Sequence, residues 1–271
     1  MNESLFELFH TNTRYTRTGF SAHAVNIRRH LCSAQAVQAM SRNFKIYRFV
    51  DRSALPAPCL PELPLSLVLQ RRESSRSFSG AEMSLEDLAS ILIPAAACNR
   101  VAKVKDHPQI ELHFRPYPSG GAEYPLELYA ILLRISGAPV CITHFDPRAR
   151  TLDILKTSVS PASIENALID AEPILETATA LLAITAVFER TTDKYGDRGY
   201  RLVLLEAGHL AQNLCLTATA AGFGTLPWGG FFDDELNRLL DIDGLTEAVI
   251  HCIFLGVPGA AAPAAGRDGP P

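Results

Sequence analysis

The chain of 271 residues contains no apolar run reaching the ~20 residues that a membrane span requires, so no transmembrane segment is expected. It also has no long run of basic residues. Arg28-Arg29-His30 and Arg71-Arg72 are too short to form an electrostatic footprint, and the net charge is −4, which argues against a nucleic-acid partner. Any anionic partner should be small. The six cysteines, Cys32, Cys59, Cys98, Cys141, Cys215 and Cys252, form no CxxC pair, and several lie in apolar runs where a free thiol behaves as a small hydrophobe. Reduced thiols, a cytoplasmic protein and no metal site are the expectation. Glu3 and Glu7 interrupt the start of the chain, so no signal peptide is visible, and no internal repeat is found.

What is present is a composition 47% hydrophobic, enough to bury a large core in one big domain or two small ones. Residues 1–64 mix polar and basic residues and end in Pro56, Pro58, Pro61 and Pro64, which suits an irregular arm with one helix near Ala34–Met40, wrapped on another surface. Ser84 followed by Glu86 and Asp87 predicts a capped helix that runs until Pro94 disturbs it. Leu126–Ile135, Val140–Phe145, Leu152–Leu155, Ala180–Phe188 and Ala248–Leu255 read as strands, and Ala162–Ile169 and Asp234–Leu240 as helices. Tyr200–Ala221 is apolar nearly all round and reads as an interior helix or a subunit interface, with His209 as a satisfied core histidine. The tail at 259–271, rich in Ala, Pro and Gly, reads as disordered.

Four stretches hold residues that apolar packing does not explain. Arg115 to Pro125 places Gly120-Gly121 between Pro118 and Pro125, just ahead of a buried strand; a rigid loop there can admit a flat ligand, or can be a tight turn. Arg71, Arg72, Ser74 and Arg76 crowd cations and hydroxyls into six positions, a composition suited to phosphate and also to a solvated basic turn. Glu189 to Tyr200 concentrates titratable residues, including Lys194 and Tyr195, in a polar loop at the end of a buried element; such a loop can carry chemistry, or can be solvated with Asp193 and Asp197 as ion partners. Gly222 to Phe231, with Pro227, Trp228, Gly229 and Gly230, reads as a second glycine-rich loop.

Together, RRxSxRSF, PSGGAxYPLELY, KYGxRxYR and AxxxGFGxLPWGGF resemble the nitroreductase-like flavoprotein superfamily, and specifically its SagB-type azoline dehydrogenase branch, over Lys45 to Pro258. The resemblance implies an α+β fold with a central, mainly antiparallel sheet flanked by helices, built as an intertwined homodimer with two FMN sites at the interface. It places the FMN-binding domain at residues 65–258. Arg72, Ser74 and Arg76, with Arg71 as a further contact, match the phosphate and ribityl segment. Pro118, Ser119, Gly120 and Gly121 match the loop that reaches the flavin from the other subunit, and Pro227, Trp228, Gly229 and Gly230 the loop near its reactive edge. Lys194 and Tyr195 match the pair to which the branch assigns catalysis. Two departures stand out: after the last strand, where a basic residue usually serves the phosphate, the chain runs into Leu255-Gly256-Val257-Pro258 with only Arg267 in the tail, and Glu123 stands where an apolar residue is more common.

The implied reaction converts a peptide thiazoline or oxazoline to the azole, in biosynthesis of a ribosomally made modified peptide, alongside a cyclodehydratase. FMN accepts the hydride, and the protein supplies a proton acceptor. A neutral Lys194 is a competent base, but its ordinary pKa of ~10.4 would have to be lowered, with Arg190 and Arg198 as the neighbouring cations. Two other readings share the motifs: a generic NAD(P)H-driven nitro or quinone reductase, and a non-catalytic FMN-binding scaffold subunit.

Overall fold

Alternating positions on one strand show why the sheet takes its place in the middle of the molecule: Leu126, Leu128, Ala130 and Leu132 point to one side, and Tyr129 and Ile131 to the other, all buried. The computed structural model describes residues 4–17 and 19–259. It opens with helices α1 (Leu5–Asn12), α2 (Phe20–Cys32) and α3 (Ala34–Met40), followed by strand β1 (Asp51–Ala54), α4 (Leu65–Arg71), α5 (Leu85–Ala96) and a hairpin of β2 (Arg100–Val104) and β3 (His107–Phe114). After these come β4 (Leu126–Leu132), β5 (Cys141–Asp146), β6 (Thr151–Thr157), α6 (Pro161–Glu165), α7 (Glu172–Leu175) and β7 (Ala180–Val187). The chain continues through α8 (Glu189–Tyr195), α9 (Arg198–Ala220), β8 (Gly224–Trp228), α10 (Asp233–Leu240) and β9 (Glu247–Gly256).

Seven strands form one antiparallel sheet in the order β1-β6-β5-β4-β7-β9-β8. On one face Leu88, Leu92, Val203 and Leu210 of α5 and α9 pack against Leu126, Leu128, Leu182 and Ile184; on the other, Ile164, Leu236 and Leu240 of α6 and α10 meet Tyr129, Ile131 and Leu181. With helices on both faces, a central strand has no solvent side, which is why its sequence shows an unbroken apolar run. The α+β architecture with a central antiparallel sheet is the expected one.

Several local expectations need correction. Gly222 to Phe231 is not simply a loop, since Gly224–Trp228 forms β8 at the sheet edge. Pro227 is tolerated there because an edge strand leaves one row of backbone groups unpaired. Glu189 to Tyr195 is a helix, not a polar loop. The capping box of Ser84 and Asp87 starts α5 as expected, but the helix continues past Pro94 to Ala96. Buried Ile91, Leu92, Ile93, Ala95 and Ala96 hold it in place although the proline lacks one donor. The arm carries the α3 predicted and, in addition, α1, α2 and β1, and the β2–β3 hairpin was not anticipated. His209 is exposed beside Leu204 and Leu205, on the side of α9 turned away from the core, so it is not a core histidine. The expected disorder of the tail concerns residues 260–271, outside the described residues.

Glu127, the one charge in β4, ties four segments together. Its carboxylate accepts from Arg190 Nη1 of α8 at 2.6 Å and the Lys45 backbone N–H at 3.1 Å, and lies 2.8 Å from His144 Nε2 of β5. Burial pushes this carboxyl up, but the pull of Arg190, His144 and Arg115 overrides it and holds the group well below the ordinary carboxylate range. Nearby, Lys45 Nζ reaches Tyr129 Oη at 2.6 Å and Glu247 Oε2 at 2.5 Å, fastening the arm to the sheet. Glu127→Ala should cost about 3–5 kcal/mol in urea unfolding, because it strands Arg190 beside a buried void. The depressed pKa means that the wild-type contribution is present above the ordinary carboxylate pKa and is lost as pH falls toward the lowered value; the variant should show a flatter acid limb.

Candidate functional site

The segment from Arg115 to Pro125 lies between β3 and β4 and is held from inside. Buried Arg115 donates from Nη1 to Tyr117 Oη at 2.9 Å and to the Leu126 carbonyl at 2.7 Å, and its guanidinium stands over the Tyr124 ring. Ser119 Oγ accepts from the Tyr124 amide at 2.8 Å, closing the turn around a short 3-10 segment at Gly120–Ala122. Gly121 has φ +68°, and a Cβ there would fall on Lys194 Nζ and Tyr195 Oη. The turn and the Lys-Tyr pair, distant in sequence, therefore form one place. Glycine is required both for the left-handed backbone and for the space.

Lys194 is on α8 and buried. Its Nζ donates to Glu123 Oε1 at 2.8 Å and lies 3.4 Å from the Gly121 carbonyl. The expected ion partners Asp193 and Asp197 are not used. Arg190 and Arg198, expected to act as depressing cations, are engaged elsewhere: Arg190 by Glu127, and Arg198 by the Thr13 carbonyl at 3.0 Å and the Tyr15 ring. One turn apart on α8, Arg190 and Lys194 pair with Glu127 and Glu123, also four residues apart, so the helix is held by two buried ion pairs in crossed order. Burial pushes the Glu123 carboxyl up, against the opposing pull of Lys194, His30 and Asn43.

A residue that the sequence reading missed faces the same turn from α9. Glu206 is 2% exposed, Oε1 has no hydrogen-bond partner among the described residues, and burial pushes its carboxyl up to about 7 against the Ser119 side chain, Arg115 and the Gly120 amide. A single acid inside an otherwise apolar helical face was its signal. The arm closes the site from outside. Asn26 Nδ2 of α2 donates to the Asp193 and Lys194 carbonyls at 2.8 and 3.1 Å, and Asn43 Nδ2 to the Glu123 carbonyl at 2.7 Å. Arg198 and Arg201 of the KYGxRxYR stretch hold Thr13, so these arginines serve the arm. Asn26, Asn43 and Thr13 carry no motif that could have marked them.

The arginine/serine segment lies elsewhere, against β8. The Ser75 amide donates to the Thr225 carbonyl at 2.8 Å, Ser74 bridges Thr225, and a Cβ on Gly224 would strike Ser75. Arg72, Ser74 and Ser75 are half-buried while Arg71 and Arg76 are exposed, and among the described residues none of the three arginines pairs with a carboxylate. The buried Thr225 hydroxyl has the Cys215 thiol beside it. Arginines without carboxylate partners and neighbouring serine hydroxyls suit a phosphate monoester such as that of FMN. Trp228 Nε1 donates to the Gly230 carbonyl at 2.6 Å, which also accepts from the Ile169 amide at 2.8 Å, and nothing lies within 4 Å of a Cβ on Gly229, which leaves room for a flat ring.

Within one chain these two groups do not meet. α9 runs for 23 residues between them: Leu202 and Glu206 adjoin the glycine turn, while Cys215 adjoins Thr225 and Arg72. Nine residues of helix place Cys215 about 13 Å along the axis from Glu206.

Residues 69–257 match the nitroreductase family. A nitroreductase-like protein of Methanocaldococcus jannaschii is 35% identical over 193 residues, 71% of this chain and 91% of its own length. The microcin B17-processing protein McbC of Escherichia coli is 33% identical over 150 residues, 52% of this chain, and the match spans about half of McbC, 54%. In structure, a chain of the E. coli microcin synthetase McbBCD complex with truncated pro-MccB17 bound superposes with a TM-score of 0.61 at 21% identity, covering 87% of this chain and 97% of that one.

Gly121→Ala should displace Lys194 and Tyr195, destabilising the fold by at least about 1 kcal/mol from the backbone conformation alone, as read by denaturant unfolding. For Glu206, a folded pKa raised from 4.5 to about 7 means that the folded state keeps a proton that the unfolded chain releases. Its contribution is full below the unfolded value and is lost as pH rises through the folded one, a change of roughly 3 kcal/mol. Glu206→Gln should remove this decline, gaining stability relative to wild type between pH 5 and pH 8 in urea titrations.

Proposed function

The chain belongs to the nitroreductase family, and on that premise we propose that it is an FMN-dependent dehydrogenase that oxidises peptide thiazolines or oxazolines to the azoles. The observation that carries this reading is the buried Lys194 and its neighbour Tyr195, set against the glycine turn that the azoline-dehydrogenase resemblance singles out. A generic quinone or nitro reductase has no need of an ordered basic residue there. A relative named for microcin B17 processing, and a structural neighbour described with truncated pro-MccB17 bound, support a peptide as substrate. An azoline-bearing precursor peptide and a cyclodehydratase complex are the corresponding partners.

FMN, when bound, supplies the hydride acceptor. Arg72, Ser74 and Arg76, with Arg71 beside them, would hold its phosphate, and Pro227 to Gly230 would border the ring. Pro118 to Gly121 would approach it from the second protomer of a homodimer. This arrangement accounts for the separation of the two groups along α9 and for the exposed Tyr200, Leu204 and Leu205 on that helix, which a partner would cover. Lys194 would take the proton from the carbon next to the amide carbonyl, and Tyr195 would orient the ring or pass the proton on.

Loss of two hydrogens from an azoline peptide, followed by mass spectrometry, tests the assignment. Lys194→Ala should lower turnover by about 10²–10⁴-fold while retaining FMN. Arg72→Ala and Arg76→Ala should instead weaken FMN retention by roughly ten- to a hundredfold. Near-normal azole formation in Lys194→Ala would remove lysine from the mechanism.

A further inference from the structure

Lys194 stands at the inner end of a row of titratable groups that leads out of the fold. Its Nζ is 2.8 Å from Glu123 Oε1, and the same oxygen is 3.7 Å from His30 Nε2 on α2. The lysine and glutamate side chains are 2% and 1% exposed, and the histidine 19%, so water is first met at His30. The other polar groups facing the row are Tyr195 beside Lys194 on α8, Glu206 from α9, whose carboxyl the nearby Glu123 helps to raise, and Asn43, whose Nδ2 is 3.5 Å from Glu123 Oε2. Asn26 fixes α2 to the carbonyls of Asp193 and Lys194, which keeps His30 in place. An apolar residue at 123 would leave Lys194 Nζ with the Gly121 carbonyl at 3.4 Å and no exit for a proton.

We propose that Glu123 and His30 form a proton path that carries the proton collected by Lys194 to solvent and restores the free amine. The path rests on the reading of Lys194 as the base. In the cycle, a Lys194 N–H bond of the resting ion pair breaks as a Glu123 O–H bond forms, which frees the amine. The substrate C–H bond then breaks as a proton binds the Lys194 amine. Glu123 releases its proton to His30 Nε2, which restores the ion pair, and the imidazolium loses one to bulk water from Nδ1. No electrons are exchanged along the path. The 3.7 Å gap between Glu123 and His30 is longer than a hydrogen bond and is closed by a small side-chain shift or one bridging water. Glu123 is thus a positioning and relay residue, acting on the substrate only through Lys194. Its carboxyl suits the task because burial raises its proton affinity toward that of its neighbours.

The test uses the FMN-loaded protein with an azoline peptide, comparing Glu123→Gln, Glu123→Asp and His30→Ala with wild type. Glutamine can still accept the lysine hydrogen bond but cannot carry a proton, so kcat should fall about tenfold or more with KM and FMN content unchanged. Aspartate should recover part of the loss, and added imidazole should restore His30→Ala but not Glu123→Gln. A second readout needs no turnover: the melting temperature of wild type and Glu123→Gln across pH. Because the folded carboxyl pKa is raised, the wild-type contribution should be full at low pH and lost as pH rises through the folded value, while the glutamine variant lacks this component. Wild-type turnover in Glu123→Gln overturns the path and spares the azoline reading. Parallel melting profiles also overturn it, since a group that exchanges no proton cannot relay one. A wild type that makes no azole overturns the azoline reading and, with it, this use of the path; the Glu123 component in melting then shows only that the carboxyl exchanges a proton.

Discussion

Two buried ion pairs, Glu123 with Lys194 and Glu127 with Arg190, are the contacts on which the rest of this site depends. The cations are one helical turn apart on α8, and the acids are four residues apart, Glu123 in the glycine turn and Glu127 in β4. Each charge is taken out of water, and each is tolerable only because the other half of its pair is in place. The seam therefore admits one register. It presses α8 so closely against the glycine turn that Gly121 has no room for a side chain, and it fixes Lys194 at a depth that a flexible surface lysine could not hold.

From that seam the other parts follow in space. α9 begins where α8 ends, passes the glycine turn at Leu202 and Glu206, and continues to the arginine/serine segment at Cys215. One rigid helix thus sets the distance between a turn suited to substrate chemistry and a cluster suited to phosphate. The arm adds a cover: Asn26, His30 and Asn43 approach Lys194 and Glu123, while Lys45 is anchored in the polar knot of Tyr129 and Glu247. Next to Lys194 and Glu123 the arm is attached by the neutral amides of Asn26 and Asn43 on backbone carbonyls, which hold position without adding charge to a buried site.

The sheet was legible because its physics is local in sequence. The runs at 126, 141, 180 and 248 are apolar on both faces, and a sheet with helices on each side asks for that pattern. The two misread segments share a cause. Glu189 to Tyr195 is dense in polar residues because half of its charges point inward to partners far away in the chain, so composition suggested a solvated loop. Gly224 to Trp228 carries glycine and proline that usually break structure, yet at a sheet edge neither costs a paired hydrogen bond. His209 was placed in the core because its helix looked apolar all round, whereas the protein covers only one side of that helix by itself.

By itself, the sequence determined the capped α5, the central strands and the residue types gathered at each glycine-rich segment, since backbone propensity and apolar periodicity act over a few neighbouring positions; the α+β architecture followed from the family resemblance that its motifs carry. Tertiary structure alone decided that Lys194 pairs with Glu123 and not with Asp193 or Asp197, that Arg190 belongs to Glu127, and that Glu206 and His30 face the same turn. These pairings join residues that are as much as 93 positions apart, as for His30 and Glu123. Electrostatic partnership depends on distance through space and on burial, and neither can be read from spacing along a chain.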